Sequence, residues 1–183
     1  MRSLFFHTQL LGSARRAWGA AAGFAVFILA SAPFALGLSR WLRGHHLLLI
    51  LLVALFLGFF GYLLTYLCYR LQGAPLRAWL FAAGVLLFGA ILLFLNRSAE
   101  ERVHLLEFTL LALLFFKAGR ASFSGDTAYL LALLLAIGTG WLDELWQGFL
   151  PGRVYDIQDV LSNAGGAVLG VGLARIRYQY GKQ

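Results

Sequence analysis

The chain has 183 residues, enough for one soluble domain, yet 61% of them are apolar and only 13% are charged. Soluble domains carry roughly 45–50% apolar and about 25% charged residues. The excess here lies in long runs, so a water-soluble globule is excluded and lipid-embedded helices are expected. Lys and Arg number 15 against 8 Asp and Glu, a formal charge of +7. These basic residues punctuate the apolar runs instead of clustering on one face, which argues against a nucleic-acid partner. The single cysteine, Cys68, lies inside an apolar run. It reads as a buried, packing thiol, with no intramolecular disulfide and no thiolate metal site.

The spacing of charges predicts six transmembrane helices in an all-α, polytopic bundle. The first is Ala17–Ser39, entered after Arg15-Arg16 and left at Arg40. Ala30-Ser31-Ala32 imitates the cleavage site of a signal peptide, but Pro33 follows directly and the apolar run continues through Leu38, so a retained helix is expected. The second is Leu47–Tyr69, the third Ala78–Leu95. Each has about 18–23 residues, enough to cross roughly 30 Å of hydrocarbon at about 1.5 Å per residue. His45-His46 read as interfacial and His7 as a surface residue of the tail.

The remaining segments are shorter. Val103–Phe116, Thr127–Leu142 and Val160–Ala174 have 14, 16 and 15 residues, or roughly 21–24 Å of helix. To span, each must carry its adjoining polar residues to membrane depth. The expected organisation is therefore a three-helix scaffold over 1–102, a polar-bearing three-helix core over 103–174 and a basic cytoplasmic tail over 175–183. Gly19-x-x-x-Gly23 and Gly166-x-x-x-Gly170 mark faces for close helix packing, within the chain or in an oligomer. Trp141 and Trp146 suit an aromatic belt at the interface.

Alternate loops differ in Lys and Arg. Arg2, Arg15, Arg16, Arg70, Arg77, Lys117, Arg120, Arg175, Arg177 and Lys182 fall on one side; Arg40, Arg43, Arg97, Arg102 and Arg153 fall on the other. Ten against five predicts cytoplasmic N- and C-termini. The acidic residues divide the opposite way, since every one except Asp126 lies on the outer side.

Three polar groups then converge at that outer end. His104 and Glu107 stand three apart on helix four. Asp143, Glu144 and Gln147 close helix five. After Pro151-Gly152-Arg153, helix six opens with Asp156, Asp159 and Asn163 at spacings of three and four. Charges near lipid are costly, about 2.5–3.5 kcal/mol each at a helix centre on insertion scales. They must face one another or a wet cavity. Arg153, with its planar fork of donors, is suited to bind Asp143 or Glu144 bidentately, and His104 adds a group that titrates near neutrality.

The run Asp143-Glu144-Leu145-Trp146-Gln147-Gly148-Phe149-Leu150-Pro151-Gly152-Arg153, continued by Asp156-Ile157-Gln158-Asp159-Val160-Leu161-Ser162-Asn163 and Gly165-Gly166, resembles the signature of the VanZ-like membrane proteins. His104 with Glu107 resembles that family's upstream His-containing helix, with Arg102 where a Lys is usual and Phe108 or Phe115 where a Tyr is usual. The resemblance covers about Val103–Leu173. It implies a multi-pass protein of the bacterial inner membrane. The family's founding member is associated with low-level resistance to teicoplanin, a lipid-bearing glycopeptide.

Several readings of the polar set follow. In the first, the pocket binds or acts on a lipid-linked or amphipathic envelope molecule on the periplasmic or extracellular side, with Arg153, Gln147, Glu107, Asp156, Asp159 and Asn163 as ligand-binding residues. In the second, the chain is an intramembrane hydrolase or transferase, with Asp143 or Glu144 as general base and His104 as partner. In a third, it is an accessory subunit whose polar cluster only ties helices together, Asp156 capping helix six and Arg153 paired with Asp143. A proton-coupled transporter would need polar residues in both membrane halves, and these are confined to one. His104, Glu107, Asp143 and Glu144 are ligand types for a divalent ion, but no dense metal motif is present, and no metal or other cofactor is predicted. The expected partners are membrane lipids or lipid-linked envelope precursors.

Overall fold

A computed structural model describes residues 2–44, 47–96, 98–123 and 125–180. His45, His46, Arg97 and Lys182 lie outside the described residues, as do the side chains of Arg2, His7, Arg43 and Glu100. The described chain is all-helical: α1 (Arg2–Gly44), α2 (Leu47–Arg70), α3 (Leu76–Leu95), α4 (Ala99–Ser122), α5 (Thr127–Gly148) and α6 (Ile157–Arg175), the last continued by a short π-helical turn, Ile176–Tyr180. Four stretches are long and apolar enough to cross a membrane: Gly12–Ala35, Val53–Arg70, Leu76–Leu95 and Thr127–Gly148. Large apolar side chains such as Leu57, Leu80 and Phe94 point outward, as lipid-facing surfaces require.

All six expected helices are present, and several run past the expected bounds. α1 begins well before Ala17 and ends beyond Ser39, a helix of 43 residues and roughly 65 Å. Arg15 and Arg16 are good helix formers, so this pair of charges does not end the helix. α4 starts at Ala99, not Val103, because Ser98 and Glu101 form a reciprocal capping box: the Ser98 hydroxyl accepts from the Glu101 N–H at 3.0 Å, and the Glu101 carboxylate accepts from the Ser98 N–H at 3.2 Å. α5 runs on to Gly148, taking Asp143, Glu144 and Gln147 into the helix.

At the centre, α4 and α6 pack most extensively against each other, with α1 and α5 against α4 and α3 against α6. Small residues make this approach possible. A Cβ on Gly166 would sit 2.6 Å from the Leu105 carbonyl oxygen, and one on Gly170 would collide with the Thr109 carbonyl and Ala112. By contrast, Gly19 and Gly23 have nothing within 4 Å of such a Cβ, so that pair makes no close contact among the described residues.

Apolar packing holds the end of the bundle away from the polar residues. Phe116 stacks on Tyr129 at 4.5 Å and meets Tyr178 edge-on at 5.1 Å, while Trp18 Nε1 donates to the Ser122 hydroxyl at 2.9 Å. Leu63, Leu67 and Leu71 bury with Leu169, Leu173 and Ile176. At the opposite end meet the C-terminal part of α1, the start of α4, the end of α5 and the loop into α6.

Candidate functional site

The last turns of α5 carry three polar side chains that are almost fully buried: Asp143 is 1% exposed, Glu144 0% and Gln147 2%. Residues four apart share a helix face, while adjacent residues diverge by about 100°. Accordingly Gln147 Nε2 donates to Asp143 Oδ2 at 2.8 Å. Glu144 turns the other way, where its Oε1 accepts from the Asp156 backbone N–H at 2.7 Å. The acidic pair therefore splits: Asp143 faces inward toward α4, and Glu144 fastens the loop that leads into α6.

On α4, His104 and Glu107 face α5. The His104 Nδ1 lies 3.6 Å from Glu107 Oε2 and 3.9 Å from Asp143 Oδ2, ion pairs if the imidazole is protonated. The ring also stacks along Phe108 at 6.4 Å.

Between α5 and α6, Pro151 and Gly152 form the corner of a turn. Gly152 has φ +79°, the left-handed value that the third position of a type II turn requires after proline. The turn closes through the Arg153 N–H donating to the Leu150 carbonyl at 3.2 Å. Arg153 is half-buried, and among the described residues it forms no ion pair with Asp143 or Glu144. The expected bidentate pairing is not formed, because each carboxylate has one oxygen engaged elsewhere, Asp143 by Gln147 and Glu144 by the loop backbone.

The α6 residues take structural places. Asp156 is exposed and caps the helix, its carboxylate accepting from the Gln158 N–H at 2.8 Å. Asn163 is buried and donates from Nδ2 to the Gly140 carbonyl at 3.3 Å, a contact that needs Gly140, since a Cβ there would sit 2.7 Å from the Asn163 Cβ. Asp159 is half-buried one turn into α6. A second buried polar knot went unseen in the sequence. Asn96 Nδ2 donates to the Ser162 hydroxyl at 2.8 Å and to the Glu101 carbonyl at 3.2 Å, while Arg102 Nε donates to the Asn96 carbonyl at 3.2 Å. Nothing in sequence spacing pairs Asn96 with Ser162, although the Ser98-x-x-Glu101 box beside them is legible.

A cavity of about 280 Å³ opens at this end of the bundle. Its polar wall is formed chiefly by His104, Glu107, Asp143, Gln147 and Arg153; the facing wall comes from α1, mostly apolar through Phe27, Ile28, Ala32, Phe34, Ala35 and Leu38, with Ser31 and Ser39 among them. The contribution of α1 was not expected from a segment read as scaffold; its signal is the apolar run of residues around Ser31. Glu144, Asp156, Asp159 and Asn163 do not line the cavity. Among the described residues no three His, Cys, Asp or Glu side chains are grouped to hold a metal ion.

Several buried polar atoms here have no hydrogen-bond partner among the described residues: Asp143 Oδ1, Gln147 Oε1 and Arg153 Nε, on residues that line the cavity, and Glu144 Oε2 and Asn163 Oδ1 beside it. Buried polar groups are nearly always paired.

Residues 90–178 match the family model described as VanZ/LLP1. The second half of the chain is a VanZ-like domain. His104, Glu107, Asp143, Gln147 and Arg153 fall within the matched span, whereas the α1 residues of the cavity, Ser31 and Ser39 included, lie outside it. No curated protein and no solved structure matches the chain. The VanZ-like domain and the apolar helices together fit a membrane protein of VanZ type.

Proposed function

We propose that this VanZ-type membrane protein binds a lipid-linked or amphipathic molecule of the bacterial envelope in the cavity between α1, α4 and α5, at the outer leaflet of the inner membrane. One observation carries the reading. A single cavity joins an apolar wall to a polar one that bears a guanidinium, two carboxylates, an imidazole and an amide. Phe34 lines it while remaining 75% exposed, so the apolar wall is continuous with the lipid-facing surface of α1 and an acyl chain enters sideways. Arg153 receives the anionic part of the head group through charge-assisted hydrogen bonds. A lipid-bearing glycopeptide of the teicoplanin kind is one amphiphile of this description.

Native mass spectrometry of the purified protein tests the reading. Wild type should retain phospholipid or a lipid-linked precursor through detergent exchange, and Arg153→Ala should lose most of it while keeping its melting temperature. A folded wild type that retains no amphiphile overturns the proposal.

The approach of His104 to Asp143 at 3.9 Å supports a second reading, an intramembrane hydrolase or transferase in which Asp143 is the general base. Under that reading Asp143→Asn abolishes turnover and leaves lipid retention unchanged.

A further inference from the structure

We propose that the ligand of this cavity is zwitterionic: a phosphate held by Arg153 and a primary ammonium held by Asp143 and Glu107, the chemistry of a phosphoethanolamine head group. The proposal rests on the reading of the cavity as an amphiphile site and specifies the class of amphiphile.

Charge balance is the first argument. One guanidinium, two carboxylates and the His104 imidazole, 3.6 Å from Glu107 and 3.9 Å from Asp143, face the same space, and among the described residues no ion pair joins Arg153 to either acid. A purely anionic ligand would satisfy Arg153 but bring negative charge into a cavity that already holds two carboxylates. A purely cationic ligand would leave the guanidinium without a counter-charge. A zwitterion complements both walls and adds no net charge.

Unmet hydrogen bonding is the second argument, and it does not depend on the first. Asp143 Oδ1 and Gln147 Oε1 are acceptors without donors, on side chains 1% and 2% exposed. Arg153 Nε is a donor without an acceptor. Buried polar groups left without a partner are costly and rare. A primary ammonium brings three donors, as the Lys side chain does, and a phosphate brings only acceptors on its free oxygens. A quaternary ammonium has no N–H to give, so choline lipids leave the two oxygens unpaired.

Full-length protein in detergent is offered phosphatidylethanolamine, phosphatidylcholine and phosphatidylglycerol with identical acyl chains, and the lipid retained is counted by native mass spectrometry. Wild type should prefer the ethanolamine lipid by on the order of tenfold, the factor that about 1.4 kcal/mol gives. Asp143→Asn and Glu107→Gln should reduce the ethanolamine lipid to the choline level without changing choline retention. Soluble phosphoethanolamine should compete if the head group alone is recognised; competition only by the intact lipid makes the acyl chains part of the site. Retention that depends on Arg153 but shows no head-group preference in wild type overturns this inference and leaves the proposed function standing. Retention of a lipid-linked precursor but no phospholipid overturns this inference alone, and retention of no amphiphile of any kind overturns both. If Asp143→Asn does not fold, the wild-type comparison and Glu107→Gln, whose side chain is 27% exposed, still decide the matter.

Discussion

Asp143 and Glu144 are chemically near-identical neighbours, and the helix gives them different work. The rotation of about 100° between them sends one carboxylate into the cavity wall and the other to the backbone of Asp156, twelve residues on. Replacing Glu144 should therefore cost stability, and replacing Asp143 should cost ligand. Glu144→Ala leaves the Asp156 N–H without its acceptor, at a cost of about 1–3 kcal/mol. Glu144→Gln keeps an acceptor oxygen in place and should recover most of it. Thermal unfolding in detergent reads the difference; equal melting temperatures for Glu144→Ala and wild type would remove Glu144 from its fastening role. That the pair matters was legible from two acids beside an apolar run. Which acid does which was not, because the answer depends on a loop N–H whose position only the folded turn at Pro151-Gly152 establishes.

The helices were legible to a different degree at their middles and at their ends. Apolar runs between charges located all six, since lipid imposes that pattern directly. Charge spacing placed the ends of α1 and α4 poorly, because arginines at a membrane boundary do not stop a helix, whereas a capping box starts one. The two small-residue motifs read alike in sequence and differ in the fold: Gly166 and Gly170 lie against backbone carbonyls of α4, and Gly19 and Gly23 touch nothing. This difference settles the sign of a substitution. Gly→Ala in a helix gains about 1 kcal/mol from propensity alone. At Gly19 nothing opposes that gain, and Gly19→Ala should be neutral or slightly stabilising. At Gly166 the new methyl would lie 2.6 Å from the Leu105 carbonyl, a backbone atom that cannot swing aside. Gly166→Ala should lose about 1–3 kcal/mol net, the range for overpacked cores. Equal melting temperatures for the two variants would mean that α4 and α6 are not so closely apposed.

For the whole molecule, the charge of +7 divides by side. Taken by alternate loops of the sequence, ten of the basic residues and Asp126 share one side, giving +9, and the other five with seven acids share the other, giving −2. Of the described residues, Lys117, Arg120 and Arg175 lie at the end where Phe116, Tyr129 and Tyr178 pack, and Glu107, Asp143 and Arg153 at the cavity end. Among the described residues the fold brings Glu107 and Asp143 to one cavity and ties Glu144 to Asp156, so there the division by loops is also a division in space. We propose that the +9 end is cytoplasmic, in accord with the bias of Lys and Arg toward that side, and that the cavity opens outward. Two exposed positions report on this directly: Val154, 83% exposed beside the cavity, and Gln179 at the other end. In a Cys68→Ser background, Val154→Cys should react with a membrane-impermeant maleimide in intact cells, and Gln179→Cys only after permeabilisation. The reverse pattern would turn the cavity toward the cytoplasm and remove outer-leaflet and extracytoplasmic amphiphiles from its ligands. Labelling of both in intact cells would mean that the two ends do not lie on opposite sides of one bilayer, and the six-span topology itself would fall.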